Sequence, residues 1–255
     1  MAAETLGPLL AAGNIADVHA YNDGVVKLYR GQNTKRVVFR EAAIHAAVEE
    51  FGLPVPSVRG VRQIDGRWGV LFDRIEDRPL AQRMIDDPAG RPAYLEGLAR
   101  LHTEIHSHPV PQFVSFKRRL AGAIDRAAAL TPQQMRDALR HLAARPDGDR
   151  LCHGDFHPEN VLGDVTRPTI IDWPDACRGD PAADVCRSYL LLTLHAEPIA
   201  EPYLDAYCRV SGWSRDRVLD WLPTIAAARL AEDIAGERDR LMAFATARRT
   251  TAATP

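Results

Sequence analysis

The pattern of the chain changes near residues 73–79, and this change limits the fold more than any other feature of the sequence. On its N-terminal side, short apolar runs bounded by turn residues indicate strands, with one helical pattern among them. On its C-terminal side, helical spacing of the apolar residues prevails. This order predicts an α+β fold of two lobes, a small β-rich lobe at residues 1–75 and a larger, mainly helical lobe at residues 76–255.

Local signals give the elements their approximate bounds. Asn22-Asp23-Gly24 is a hairpin turn signal, and Gly52 followed by Pro54 ends the helix of the small lobe. The predicted strands lie at residues 15–21, 25–29, 57–64, 68–72, 150–152, 161–162 and 169–171. The predicted helices lie at residues 35–51, 92–107, 116–130, 132–144, 182–195, 199–211 and 215–243.

Charge and composition argue against several classes of partner. The formal net charge of the 255 residues is -2 and 46% of them are hydrophobic, so neither a nucleic acid nor a membrane is expected as a partner. The longest apolar run, near residues 189–194, is too short to span a bilayer. Four cysteines without a C-x-x-C pair, and a first segment without a basic region, predict reduced thiols and a cytoplasmic protein.

Five polar residues occur in the order that phosphoryl transfer from ATP requires. This reaction needs a cation on the phosphates, an acid that holds the cation, a carboxylate near the acceptor hydroxyl and oxygen ligands for Mg²⁺. Lys27 lies within a predicted strand, and Glu41 lies on the helix that follows. Asp155 and Asn160 share a loop of the form H-x-D-x-x-x-x-N. Asp172 follows a predicted hairpin, which would return it to the side of Asn160.

Three segments around this loop form a longer motif. They read HGDFHPENVL at residues 153–162, IDW at 171–173 and RGDPAAD at 178–184. They resemble the aminoglycoside phosphotransferase and choline kinase family, and the resemblance extends over roughly residues 13–235. It implies a protein-kinase-like fold of two lobes. It also implies an ATP-dependent kinase, with GTP as the alternative nucleotide, that phosphorylates a hydroxyl of a small molecule.

The resemblance assigns a role to each of the five polar residues. Asp155 would be the catalytic base, and Asn160 and Asp172 would be the ligands of Mg²⁺. Lys27 would bind the phosphates, with Glu41 as its partner. The expected cofactors are therefore ATP and Mg²⁺.

Nucleotide contacts outside these five residues carry weaker signals. The resemblance places the adenine against the backbone near Asp73 and Ile75. The loop that would cover the phosphates, at residues 13–18, contains one glycine, Gly13, and so lacks the G-x-G-x-x-G pattern.

Two positions argue against a regulated protein kinase. Gly154 stands where protein kinases carry the arginine that pairs with a phosphorylated activation loop. Trp173-Pro174 replaces the Phe-Gly pair that changes conformation in those enzymes, which predicts a fixed, constitutively active arrangement.

The acceptor is less well defined than the chemistry. A cationic acceptor such as an aminoglycoside needs acidic groups in the helical lobe, and Glu232 and Asp233 are the candidates. The alternative is that these two acids form a solvated helix face. The expected partners are thus a nucleotide and a small cationic or polar molecule.

Two other interpretations remain open at this point. The first is a catalytically idle kinase fold that binds a ligand or partner, which the glycine-poor loop would favour. The second is a metal hydrolase that uses His153, Asp155 and His157, although Gly154 and Pro158 disfavour the helix that this would need. The kinase interpretation instead makes His153 a brace of the loop.

Supporting roles are expected for several further residues. Asp180 is predicted to cap or brace the loop at residues 153–160, or to help with the metal. A structural place on the surface or in the core of a helix, rather than zinc binding, is predicted for His102, His106 and His108.

Overall fold

The computed structural model describes residues 6–13, 15–31 and 35–247. The strands are β1 (Leu6–Ala12), β2 (Ala16–Tyr21), β3 (Gly24–Tyr29), β4 (Val58–Ile64), β5 (Arg67–Asp73), β6 (Arg150–Cys152), β7 (Val161–Asp164), β8 (Arg167–Ile170) and β9 (Cys177–Gly179). The helices are α1 (Lys35–Glu49), α2 (Leu80–Asp86), α3 (Arg91–Ile105), α4 (Phe116–Arg126), α5 (Pro132–Ala143), α6 (Pro181–His195), α7 (Glu197–Ser211), α8 (Arg215–Leu219), α9 (Leu222–Arg229) and α10 (Arg238–Thr246). Short 3-10 turns occur at Pro158–Asn160 and Leu230–Glu232.

Internal contacts divide the chain into two compact units. The first unit combines Met1–Pro88 with Pro158–Asp175, and the second combines Ala89–His157 with Ala176–Pro255. The β7–β8 hairpin belongs to the first unit because it pairs with the segment before α2, where the Gly163 N–H donates to the Arg78 carbonyl at 3.0 Å. The prediction of one boundary after residue 75 did not include this hairpin, which comes much later in the sequence.

A five-stranded antiparallel sheet forms the frame of the first unit, in the strand order β1-β2-β3-β5-β4. β2 and β3 pair from Ala16 opposite Tyr29 to Tyr21 opposite Gly24, so the predicted hairpin is confirmed. Its turn residue Asn22 has a φ of 52°, a left-handed conformation that asparagine tolerates. β1 was not predicted, because most of its residues are exposed and the alternation of a half-buried strand is missing.

α1 covers one face of this sheet. Four residues at the spacing of one helical face are buried: Val38, Glu41, His45 and Val48. The alternation of β3 places Lys27 on the face towards α1, with Val26 and Leu28 on the opposite face. A carboxylate on the buried side of α1 therefore meets a lysine from the sheet.

α6 is a largely buried helix of the second unit, with 11 of its 15 residues buried. The Asp180 carboxylate accepts a hydrogen bond from the Ala182 N–H at 3.0 Å and so caps its N-terminus, whereas a role of this acid at the loop of residues 153–160 stays a prediction. α6 packs on α7, α8 and α9, while α3 packs on α7. No helix in the described part of the chain is long and apolar enough to cross a membrane.

The prediction of one long helix over residues 215–243 is wrong. The structure breaks this segment into α8, α9, a 3-10 turn and α10. Pro223 lies in the first turn of α9, where the absence of its N–H does no harm. Asp233 and Gly236 adopt left-handed backbone conformations, with φ of 48° and 84°, which end the helical backbone before α10.

Candidate active site

Lys27 lies at the centre of an ion-pair cluster in the first unit. Its Nζ is 2.8 Å from Glu41 Oε1 and 2.7 Å from Asp172 Oδ1. The three side chains come from β3, from α1 and from the segment after β8, so the fold of this unit brings them together. The Glu41 side chain is 2% exposed and that of Asp172 is 41% exposed. The cluster therefore has one buried carboxylate and one that solvent or a ligand can reach.

The charges of the cluster depend on one another. Burial alone would lower the pKa of Lys27, but the negative charges of Asp172 and Glu41 outweigh burial and raise it above its ordinary value. Burial raises the pKa of Glu41, and the positive charge of Lys27 opposes this rise. Glu41 Oε2 is buried without a hydrogen-bond partner in the described part of the chain. Lys27 is thus held as a cation, and the ionised state of Glu41 relies on it.

The backbone around Asp172 carries the acid to the side of Asn160. β7 and β8 pair from Val161 opposite Ile170, and the Ile171 N–H donates to the Asn160 carbonyl at 3.0 Å. Asp172 has a φ of 66°, and the next side chain, Trp173, is fully buried. The indole N–H of Trp173 donates to the Ile170 carbonyl at 3.2 Å, so this turn is held in place by packing and by hydrogen bonds.

The donor set here fits a magnesium ion. The Asp172 carboxylate and the Asn160 amide offer hard oxygen ligands, the type that Mg²⁺ prefers. Asn160 is 8% exposed and lies on the 3-10 turn Pro158–Asn160, which joins β7 directly. The two residues sit on adjacent, hydrogen-bonded backbone segments of one unit, as a shared ion would require.

The two residues predicted to lie near the adenine follow the same sheet. Asp73 ends β5 opposite Gly24, and Ile75 lies in the irregular segment after it. The Asp73 carboxylate is paired with the guanidinium of Arg59, which also holds Asp23 at 2.6 Å. Because the Asp73 side chain is engaged in this way, the predicted adenine contact would come from the backbone, and it stays a prediction.

The loop around Asp155 belongs to the second unit up to His157. The backbone N–H groups of His153 and Gly154 donate to the Asp184 carboxylate at 2.7 Å and 2.9 Å. Gly154 has a φ of 83°, which only glycine adopts without strain, so the arginine of protein kinases could not take this conformation cheaply. The Asp155 N–H donates to His153 Nδ1 at 3.2 Å, which is the bracing role predicted for His153.

Two basic side chains flank the Asp155 carboxylate. His157 Nε2 is 3.4 Å from Oδ2, and Arg187 Nη2 is 3.4 Å from Oδ1. Burial alone would raise the pKa of Asp155, but the hydrogen bond from His157 and the charge of Arg187 outweigh it and hold this pKa well below its usual value. Asp155 is therefore ionised at neutral pH, the state in which a carboxylate can accept a proton.

Asp184 is the centre of a buried network that the sequence did not reveal. Besides the two loop N–H groups, it accepts hydrogen bonds from His102 Nε2 at 3.0 Å and His106 Nε2 at 3.2 Å. The Nδ1 atoms of these histidines lie 2.6 Å and 2.9 Å from the hydroxyls of Tyr203 and Tyr207, respectively. The sequence offered one signal of this network. The two histidines at the C-terminal end of α3 and the two tyrosines on α7 are each spaced i, i+4, so each pair lies on one side of its helix.

Within the described residues, His102, His106 and Asp184 are also the group that converges closely enough to hold a metal ion. Their hydrogen bonds account for both nitrogens of each ring if each Nε2 carries its proton towards Asp184. An ion would have to displace these protons. His153 Nδ1 already accepts the Asp155 N–H, so the hydrolase interpretation gains no support from this geometry.

Glu232 and Asp233, the acids predicted to bind the acceptor, are both exposed. Glu232 Oε1 lies 3.4 Å from Arg187, and its other oxygen contacts Arg229. Asp233 has a left-handed φ of 48° after the 3-10 turn. An acceptor role for both acids stays a prediction. Arg187, on α6, was missed because an arginine in a helix pattern ordinarily indicates a solvated face.

The sequence pattern of the phosphotransferase enzyme family (APH) matches residues 10–221 of this chain. The chain belongs to this family. Streptomycin 6-kinase of Streptomyces griseus is 30% identical over 129 residues, a match that spans 46% of this chain and 40% of that enzyme. The match to this curated relative therefore covers less than half of the relative's length.

Solved structures show the fold of this family member. A thermostable mutant of aminoglycoside phosphotransferase APH(4)-Ia, in a ternary complex with AMP-PNP and hygromycin B, is 16% identical with a TM-score of 0.70 and coverage of 96% of both chains. A choline/ethanolamine kinase family protein from Mesorhizobium loti is 21% identical with a TM-score of 0.67, covering 96% of this chain and 90% of that one. The predicted two-lobed, protein-kinase-like α+β fold is confirmed.

Proposed function

We propose that this protein is an ATP- and Mg²⁺-dependent phosphotransferase that acts on a hydroxyl group of a small polar or cationic molecule. In the reaction, the acceptor oxygen bonds to the γ-phosphorus, the bond from this phosphorus to the β,γ-bridging oxygen breaks, and ADP leaves with the bridging oxygen. The hydroxyl proton passes to a carboxylate of the enzyme and from there to solvent.

The observation that carries this proposal is the Lys27 cluster. A lysine that is held as a cation, anchored on one side by buried Glu41 and open on the other towards Asp172, suits the binding of nucleotide phosphates. Glu41 would fix the direction of the lysine side chain. Asp172, with 41% of its side chain exposed, could leave its ion pair with Lys27 and bind another positive group.

Asp172 and Asn160 would hold Mg²⁺. The ion, when bound, would neutralise phosphate charge. The chain's own contribution is to keep the two oxygen donors side by side through the Ile171 to Asn160 hydrogen bond and the buried Trp173. This rigid turn suits a site that has to be in place before the nucleotide arrives.

Asp155 is proposed as the group that receives the acceptor proton. Its low pKa makes it a weak base, so its main work would be to orient the hydroxyl, with proton transfer late in the reaction. The hydrogen bonds from His153 and Gly154 to Asp184 fix the loop that presents it. This assignment is the one that the resemblance of residues 153–162 favours.

The acceptor class is proposed from the family and from charge. Streptomycin 6-kinase is similar to this chain over part of its length, and the exposed acid Asp233 suits a cationic molecule. Aminoglycosides are therefore the first class to test, with choline and ethanolamine as the second.

ADP release from Mg²⁺-ATP should be measured with streptomycin, hygromycin B, choline and ethanolamine as acceptors. An acceptor-dependent rate well above ATP hydrolysis in water would support the proposal, and mass spectrometry should then find one added phosphoryl group on the acceptor. ATP binding without turnover on any acceptor of either class would instead favour the idle kinase fold.

A further inference from the structure

Arg187 lies between two carboxylates of the second unit. Its guanidinium donates from Nε to the Gly154 carbonyl, and Nη2 is 3.4 Å from Asp155 Oδ1. The same guanidinium is 3.4 Å from Glu232 Oε1 through Nη1 and Nη2. The Arg187 side chain is 12% exposed and that of Glu232 is 41% exposed, so the guanidinium is largely shielded while Glu232 reaches solvent.

Glu232 is in turn held from its far side. Its second carboxylate oxygen contacts Arg229, and Arg229 forms two hydrogen bonds of 2.9 Å with the buried Glu237. Acidic and basic side chains therefore alternate from Asp155 to Glu237, the residue before α10. Glu232 is thus balanced between two arginines, and its charge is partly satisfied by the protein itself.

The contacts of Arg187 differ in kind. The bond to the Gly154 carbonyl ties it to the loop backbone, whereas the two carboxylate contacts at 3.4 Å are ion pairs longer than a close hydrogen bond. The planar guanidinium can face both carboxylates at once because its N–H groups point in several fixed directions. A lysine, with one ammonium group at its tip, could not make all three contacts.

We propose that Arg187 is a positioning residue for Asp155, and that Glu232 positions Arg187 rather than binding the acceptor directly. This inference rests on the proposed function, because it assigns Arg187 to the orientation of the proposed base. The Arg187 guanidinium holds the Asp155 carboxylate on the side of the loop that faces α6. Glu232 holds the guanidinium partly away from Asp155 and so limits how strongly Arg187 attracts the Asp155 carboxylate.

The test uses the full chain, Mg²⁺-ATP and the most active acceptor of the panel named above. The variants are Arg187→Gln, Arg187→Lys, Glu232→Gln and the Arg187→Gln/Glu232→Gln double variant. Arg100→Gln is the matched control, because Arg100 pairs with Glu96 on an exposed helix surface. Turnover, KM for the acceptor, nucleotide affinity, thermal midpoint and the pH profile are measured for each.

Arg187→Gln should lower kcat by roughly 10- to 100-fold with little change in nucleotide affinity, and Arg187→Lys should recover only part of the loss. In Arg187→Gln the acid limb of the pH profile should move to higher pH, because Asp155 loses a neighbouring cation. In Glu232→Gln the acid limb should move to lower pH, because Asp155 is then the only carboxylate of the two that Arg187 can pair with. In the double variant, the loss of Glu232 should add no further effect on kcat.

Opposite shifts of the acid limb, with Arg100→Gln unchanged, would support the inference. A Glu232→Gln variant that raises only KM, equally in both backgrounds, would show direct acceptor binding and overturn it. If Arg187→Gln does not fold, the Arg187→Lys and Glu232→Gln profiles decide, and identical wild-type profiles in both would overturn the inference. An inactive wild-type protein would instead refute the proposed function itself.

Discussion

Replacement of Lys27 by methionine should destabilise the protein through Glu41. Methionine keeps the unbranched shape of the lysine stem but leaves the Glu41 carboxyl, 2% exposed, without its cationic partner. Removal of one partner of a buried ion pair typically costs about 3–5 kcal/mol. The loss of the Asp172 contact adds little, on the order of 0–1 kcal/mol, because the Asp172 side chain is 41% exposed.

An upper limit follows from protonation of Glu41. The variant can avoid a buried charge by protonating this acid, whose ordinary pKa is 4.5. At pH 7 this costs about 1.4 kcal/mol for each of roughly 2.5 pH units, or about 3.5 kcal/mol. In the folded variant the pKa of Glu41 is then raised. The loss of stability should therefore be smallest near the ordinary pKa of Glu41 and grow as the pH rises.

Urea unfolding of the wild type and Lys27→Met, followed by circular dichroism at several pH values, measures both effects. The Lys27→Met/Glu41→Leu double variant is the control, and it should recover most of the lost stability because no buried charge remains. A loss below about 1 kcal/mol that does not vary with pH would refute this account of the cluster.

Three further predictions concern the other parts of the site. Asp172→Ala should weaken the binding of Mg²⁺-ATP in isothermal titration while changing binding of metal-free ATP much less, and equal affinities of variant and wild type with Mg²⁺ would exclude the metal role. Burial and the neighbouring His106 lower the pKa of His102 to about 3 against the pull of Asp184, so this ring is neutral in the folded state and stability should fall as the pH drops below 6.5. In His102→Gln, the slope of unfolding free energy against pH in this range should be flatter by up to about 1.4 kcal/mol per pH unit, whereas an unchanged slope would show that His102 does not cause the pH dependence. Gly154→Ala should cost about 1–2 kcal/mol of stability, because its φ is 83°, and should lower turnover, while Gly212→Ala, at a φ of 74° in open space, should cost similar stability without loss of activity.

Local patterns predicted most of the first unit. The turn residues after β2, the alternation of β3 and the helical spacing of α1 depend on neighbours in the sequence, and each has a matching element in the structure. The same alternation placed Lys27 on a strand before a helix that carries Glu41, and the two side chains are in contact. The contact of Lys27 with Asp172 needed the hairpin β7–β8 as well, which the sequence also indicated.

Features that depend on distant side chains could not be predicted in this way. Arg187 contacts Asp155 and Glu232, which lie 32 and 45 residues away in the sequence, only because the fold places them on either side of it. Asp184 likewise depends on histidines from α3. The exposed edge strand β1 was missed because it lacks the alternation of a half-buried strand. The breaks within residues 215–243 were missed although Pro223 and Gly236 lie at two of them.

The role of Asp155 in phosphoryl transfer can be tested by comparing two acids of the second unit. Transfer of the γ-phosphoryl group from Mg²⁺-ATP to the best acceptor should be measured in single turnover for the wild type, Asp155→Asn and Asp149→Asn, an exposed acid of the same unit. We expect Asp155→Asn to bind the nucleotide as the wild type does but to transfer the phosphoryl group roughly 100- to 10,000-fold more slowly, while Asp149→Asn transfers it at the wild-type rate. Transfer by Asp155→Asn at the wild-type rate would contradict this role of Asp155.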